Sequence, residues 1–125
     1  MPHIHLEYSS NLEDLHPQPV LLGLNQALFA TGHVKDVTDI KSRAICHTNY
    51  VIGLGDTSQA YVHAKVSLLS GRDLQTKTEI SNQLLVALQQ LVPKHTHLTI
   101  QFCVEILEME KACYSKTILS PVAAE

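Results

Sequence analysis

Two strand–helix–strand patterns in tandem constrain the fold of this chain more than any other feature. In the first, Pro2 to Tyr8 has the alternation of a buried strand, and Val20, Leu21, Leu24, Ala27 and Leu28 recur at helical spacing up to Thr31. Pro17 and Pro19 stand where the start of a helix tolerates proline, and Gly32 supplies its stop. A strand follows from about Asp39 to Thr48. The second pattern repeats the order. Tyr61 to Leu69 is a strand rich in valine and leucine, Ser70-Gly71-Arg72-Asp73 is a turn, and Leu74, Ile80, Leu84, Leu88, Leu91 and Val92 mark a helix that ends before Pro93. His97 to Glu108 is a long last strand. Ser70 and Asp73 are spaced like a capping box with aspartate in place of glutamate, and the connector Tyr50 to Gln59 has room for a hairpin around Gly53 and Gly55.

A helical crossover makes the two strands it joins parallel, with right-handed connection. The expected fold class is therefore α+β: tandem β-α-β units forming a four-stranded sheet with two helices on one face. Residues 1–125 form a single domain, with units at about 2–50 and 60–108. The repeat places Pro2 where the second unit has Ala60, and Ser9-Ser10-Asn11 opposite Ser70-Gly71-Arg72. Val62, Ala64, Val66 and Leu68 fall on one side of their strand, with Tyr61, His63, Lys65 and Ser67 on the other. Leu98, Ile100, Phe102, Val104 and Ile106 likewise oppose Thr99, Gln101, Cys103 and Glu105. The apolar side takes the helices. The mixed side is suited to a partner chain, and a symmetric homo-oligomer is expected.

Composition excludes several classes. No apolar run approaches the ~18–20 residues that span a bilayer, and the start has no secretory pattern. The net charge of −3, without a basic run, argues against a nucleic-acid surface. Cys46, Cys103 and Cys113 form no CxxC pair, so neither a disulfide framework nor a thiolate zinc site is indicated. Cys46 and Cys103 are expected in the core, and the chain in the cytoplasm. The tail from Ala112 to Glu125 has two open readings, one lying across another subunit and one disordered.

Pro2 is the first candidate for chemistry. Removal of Met1, which a small second residue permits, would leave a secondary amine at the head of an ordered strand. Partial shielding from water favours the neutral amine, which can act as a general base. The eight histidines include the pairs His3-x-His5 and His95-x-His97, but no HExxH or Cys/His spacing accompanies them. They are expected at surfaces and interfaces, with no metal bound.

Met1-Pro2-His3, Ala30-Thr31-Gly32, Ile40-Lys41-Ser42-Arg43 and Gly71-Arg72, in this order and spacing, resemble the 5-carboxymethyl-2-hydroxymuconate isomerase family of the tautomerase superfamily. The resemblance runs from about Pro2 to Glu108 and implies a tautomerase-like domain, a homotrimer, a processed amino terminus and no metal or organic cofactor. It implies that Pro2 shuttles a proton from the enol hydroxyl of a dienol acid to a distant carbon, in homoprotocatechuate catabolism. It gives Arg72 a catalytic role as a carboxylate clamp. Lys41 and Arg43 are the implied substrate-binding residues, and Lys41 stands where the family has arginine, keeping the charge but losing the bidentate fork. Lys41 and Arg43 should share one side of their strand. Two further classes stay open: a tautomerase-fold enzyme for another α-keto acid, including decarboxylation or dehalogenation, and a non-catalytic binding protein.

Overall fold

Strand β1 (His3–Ser9) is followed by helix α1 (Pro17–Ala30) and strand β2 (Lys41–His47); strand β3 (Gln59–Leu69) is followed by helix α2 (Leu74–Leu91) and strand β4 (Thr99–Met109). The computed structural model describes residues 1–122. The strands form one sheet in the order β2-β1-β3-β4. Each unit is parallel within itself, and the units meet antiparallel at the centre, where Leu6 pairs with Ala64. No helix among the described residues is long and apolar enough to cross a membrane.

The core follows the alternation of the strands. Ile4 and Leu6 from β1, with Val62, Val66 and Leu68 from β3, are buried against Leu24 and Leu28 of α1 and Ile80, Leu84 and Leu88 of α2. Truncating one of these leucines to alanine costs about 2–5 kcal/mol, because the site collapses only partly. The helices touch each other, α1 lies against β2 and α2 against β4. The buried apolar side chains of the sheet therefore fall on one face.

Helix α1 begins at Pro17, with the prolines at its entry as expected, three residues before the apolar periodicity starts at Val20. Its last turn closes with Gly32 at φ 81, as the glycine stop requires. The proposed capping box is not formed. Asp73 is itself the N-cap of α2 and accepts from the Thr76 N–H at 2.8 Å, while Ser70 Oγ accepts from the Lys111 N–H at 3.0 Å. The 50–59 connector contains turns and no hairpin strand.

Three other expectations are corrected. Cys46 and Cys103 are exposed: Cys46 lies on the helix side but on the edge strand β2, and Cys103 lies on the outer side of β4, paired with His63, as the alternation of that strand itself indicates. The repeat is offset. Lys41 N–H donates to Pro2 O at 3.2 Å and Thr99 N–H donates to Ser58 O at 2.9 Å, so Ser58 rather than Ala60 is the counterpart of Pro2. Ser10 N–H donates to His47 O as Ser70 N–H donates to Met109 O, both at 2.9 Å, which aligns Ser10 with Ser70. Finally, of the two readings of the tail, disorder is overturned for its described part, which contacts its own chain through Tyr114 and Lys116. Ala123 to Glu125 lie outside the described residues.

Candidate active site

Antiparallel pairing of β1 with β3 brings the start of the first unit beside the end of the second. His3 pairs with Ser67, so the turn after β3 lies next to Pro2. Gly71 has φ 121, a backbone geometry that disfavours side chains, and it turns the chain so that Arg72 follows at the head of α2. The Arg72 guanidinium is fixed by two main-chain carbonyls, Nη2 donating to His33 O at 3.1 Å and Nη1 to Leu69 O at 3.4 Å. Its remaining N–H groups are left for an anion.

Pro2 is fully buried and tied to β2 through the Lys41 N–H. The amino group of Met1, directly before it, is held below its ordinary value of 8.0, first by burial and then by the charge of Arg72, with Lys41 and Lys116 acting in the same direction and Asp39 opposing them. The Met1 amine is therefore pushed toward its neutral form. Lys41 is also held below its usual value, by burial and by the neighbouring charges of Lys116 and Arg43.

The structure thus gathers Arg72, Lys41 and the start of the chain, and puts Arg43 on the same side of β2 as Lys41 but further along. Arg43 is exposed and its fork is engaged: Nη1 and Nη2 donate to His3 Nδ1 at 3.2 and 3.3 Å, and Nη2 also donates to His5 Nε2. A guanidinium has no lone pair to offer, so both ring nitrogens facing it are unprotonated. His3 then carries its proton on Nε2, which donates to Tyr114 Oη at 3.0 Å. Burial, followed by the charges of Lys41 and Arg43, holds His3 below 6.5; burial and Arg43 do the same to His5.

The other outward histidines are also partnered. His47 pairs with Glu7 at 2.9 Å and His63 with Glu105 at 2.8 Å, and Lys65 adds a second contact to Glu7 at 3.0 Å. Sequence reasoning missed Asp39, Tyr114 and Lys116. Asp39 precedes β2 and receives the Lys116 ammonium at 3.0 Å. The only local signal for it was its position two residues before Lys41; the tail residues carry no periodicity that would have marked them.

The family profile of 5-carboxymethyl-2-hydroxymuconate isomerase matches residues 2–119. The fold is similar to a solved 5-carboxymethyl-2-hydroxymuconate isomerase from Deinococcus radiodurans R1, with TM-score 0.83 and 27% identity over 93% of this chain and 88% of that one. A solved 5-carboxymethyl-2-hydroxymuconate delta-isomerase is similar at TM-score 0.78 and 20% identity, covering 94% and 88% of the two chains. A fused 4-OT symmetric trimer shares the fold at TM-score 0.57 and 14% identity, covering 86% and 84%. No curated protein matches the chain by sequence.

Proposed function

The chain belongs to the 5-carboxymethyl-2-hydroxymuconate isomerase family, and on that premise we propose that it converts 5-carboxymethyl-2-hydroxymuconate to its conjugated 2-oxo form through the amine of Pro2. The observation that carries this reading is Pro2, buried at the head of β1 and tied to β2 beside Lys41, directly after an amino group, that of Met1, which burial and the charges of Arg72, Lys41 and Lys116 bias toward neutrality. In the proposed reaction Met1 has been removed and the Pro2 nitrogen is a secondary amine. It accepts the proton of the 2-hydroxyl, the electron pairs of the dienol shift, and the proton is returned to the distant carbon. The proton count is unchanged, so the step needs no oxidant or reductant.

Arg72 holds a substrate carboxylate with its free N–H groups and stabilises charge as the carbonyl develops. Lys41 binds a carboxylate as a point charge, and Arg43 adds to the field from further along the same side. This is the role set of a single domain whose first unit supplies the amine and whose second unit supplies the arginine. We assign the reaction to homoprotocatechuate catabolism in the cytoplasm, a compartment consistent with three exposed, unpaired cysteines. We also propose a homotrimer assembled through the outer face of the sheet, where Ile45 and Leu107 are exposed among the polar side chains. The similarity to a fused 4-OT symmetric trimer supports that choice.

The test is ultraviolet-monitored ketonisation of 5-carboxymethyl-2-hydroxymuconate by tag-free protein whose mass confirms loss of Met1. Conversion far above the buffer rate that is lost in Pro2→Ala is the expected result. Buffer-rate conversion with a verified free Pro2 would overturn the assignment and favour another α-keto acid or a binding role.

A further inference from the structure

After β4 the chain does not leave the molecule. It makes a short 3-10 turn at Lys111–Cys113 and crosses the end of the sheet where Pro2 lies. Two tethers hold the crossing: the Lys111 N–H on Ser70 Oγ at 3.0 Å, and Tyr114 Oη against His3 Nε2 at 3.0 Å. Beyond them, Lys116 directs its ammonium inward. Nζ lies 3.0 Å from Asp39 Oδ1 and 3.2 Å from Met1 Sδ, and the side chain is only 25% exposed.

The second of those contacts is informative. A thioether sulfur is a weak acceptor for an ammonium. Lys116 therefore has one good partner, Asp39, and one poor one, the side chain of the residue whose removal the proposed chemistry requires. With Met1 absent, the ammonium would face the space that the methionine side chain fills. The charges around that space are unbalanced. Arg72, Lys41 and Lys116 all act on the amine at the chain start, against Asp39 alone. Like charges brought together at a part-buried site oppose one another unless an anion joins them.

The cations also divide in space. Arg72 is anchored by carbonyls of the turns after α1 and β3. Lys116 is anchored on Asp39, just ahead of Lys41, and Lys116 is the first neighbouring charge that depresses Lys41. We propose that Lys116, delivered by the C-terminal segment, is a substrate-binding residue that with Lys41 forms a second carboxylate subsite, separate from the one Arg72 provides. This rests on the isomerase reading above. Asp39 is a positioning residue here, holding the Lys116 ammonium toward the amine, and the Tyr114–His3 contact positions the segment that carries it.

The competing account is a peripheral ion pair that merely pins the tail, an interaction worth little. Kinetics on protein lacking Met1 separate the two. Replacing one charged donor to a carboxylate should lower kcat/KM of Lys116→Met about 10–100-fold, chiefly through KM. Lys116→Arg should restore most of it, and Tyr114→Phe should raise KM with little change in kcat. Inhibition by unreactive acids gives a readout that tail pinning does not move. Adipate, with two carboxylates, should weaken as a competitive inhibitor of Lys116→Met about as much as substrate does, while hexanoate, with one, should not. Thermal unfolding of Lys116→Met confirms that the fold is kept, and if that variant is unstable Lys116→Gln replaces it. Unchanged KM and unchanged adipate inhibition, with Pro2→Ala inactive, would overturn the Lys116 subsite alone. Buffer-rate conversion by the parent protein with a verified free Pro2 would overturn the isomerase reading itself, and conversion that survives Pro2→Ala would overturn the Pro2 mechanism.

Discussion

The two ends of the sheet are built on one plan and differ in chemistry. At each end a strand start is tied to its parallel neighbour by the same hydrogen bond, Pro2 O to Lys41 N–H at one and Ser58 O to Thr99 N–H at the other. Around Pro2 the plan is filled with Lys41, Arg72 and, from the tail, Lys116. At the opposite end the counterparts are Ser58, Thr99 and Leu12, the last buried in the core. A cavity of about 470 Å³ lies there, lined by residues including Asn11, Tyr50, Asp56 and Gln59, with no lysine or arginine among its described lining. The repeated backbone supplies two similar frames. Among the described residues only one frame combines a chain start with a group of cations, so the proposed function follows the side chains rather than the frame.

Variants placed in pairs, one at each end, should break this asymmetry or sharpen it. The largest effect is expected at Pro2. Pro2→Ala should lower kcat about 10²–10⁴-fold, the range for a positioned general base, while Ser58→Ala leaves turnover unchanged; steady-state ketonisation compares the two. Arg72→Ala should follow, losing about 10²–10³-fold in kcat/KM as a charge-stabilising donor is removed. Its partner variant, Asn11→Ala, should leave catalysis alone and only remove the hydrogen bond that Asn11 Nδ2 donates to Gln59 O at 2.8 Å. Equal losses in both would contradict a single active end. Lys41→Met should cost about 10–100-fold, mostly in KM, with Lys41→Arg near or above the parent, whereas Thr99→Ala should be silent.

A smaller contrast concerns pH. Protonation of His3 and His5 is harder in the folded chain than in the unfolded one, because burial and Arg43 disfavour their charge. The unfolded state then takes up more protons below about 6.5, and the stability these groups contribute declines as pH falls through that region. Glu7 acts in the same sense at lower pH. Hydrogen bonds from His47 and Lys65 hold its carboxyl below 4.5, so its contribution is present above that value and is lost as pH falls through the lowered one. Urea midpoints should therefore drop from about pH 7 downward. In Arg43→Gln the histidine part of that slope should shrink. A midpoint that stays level between about pH 7 and 5 would contradict the coupling.

Much of this frame was legible in the sequence because its signals are local. The period-two strands, Pro17 and Gly32 around α1, and Pro93 after α2 gave element order, parallel units and the buried face. The shared side of Lys41 and Arg43 followed from the same alternation. What escaped depended on distant partners. Ser70 was expected to cap α2, but its hydroxyl serves Lys111, which is remote in sequence. Cys46 was expected in the core because alternation gives a face without saying which strand is an edge, whereas the outer position of Cys103 was already in the alternation of its strand. The engagement of Arg43 by His3 and His5 needed the β1–β2 pairing, and the return of Tyr114 and Lys116 to Pro2 has no local pattern at all.

The most direct test compares turnover of two preparations that differ only at the start of the chain, one with Met1 removed and one with Met1 retained, each verified by intact mass. If the Pro2 amine performs the chemistry, the processed protein ketonises 5-carboxymethyl-2-hydroxymuconate rapidly. The Met1-bearing protein, whose Pro2 nitrogen is an amide, then stays near the buffer rate. Equal rates from the two preparations would contradict the account at its centre.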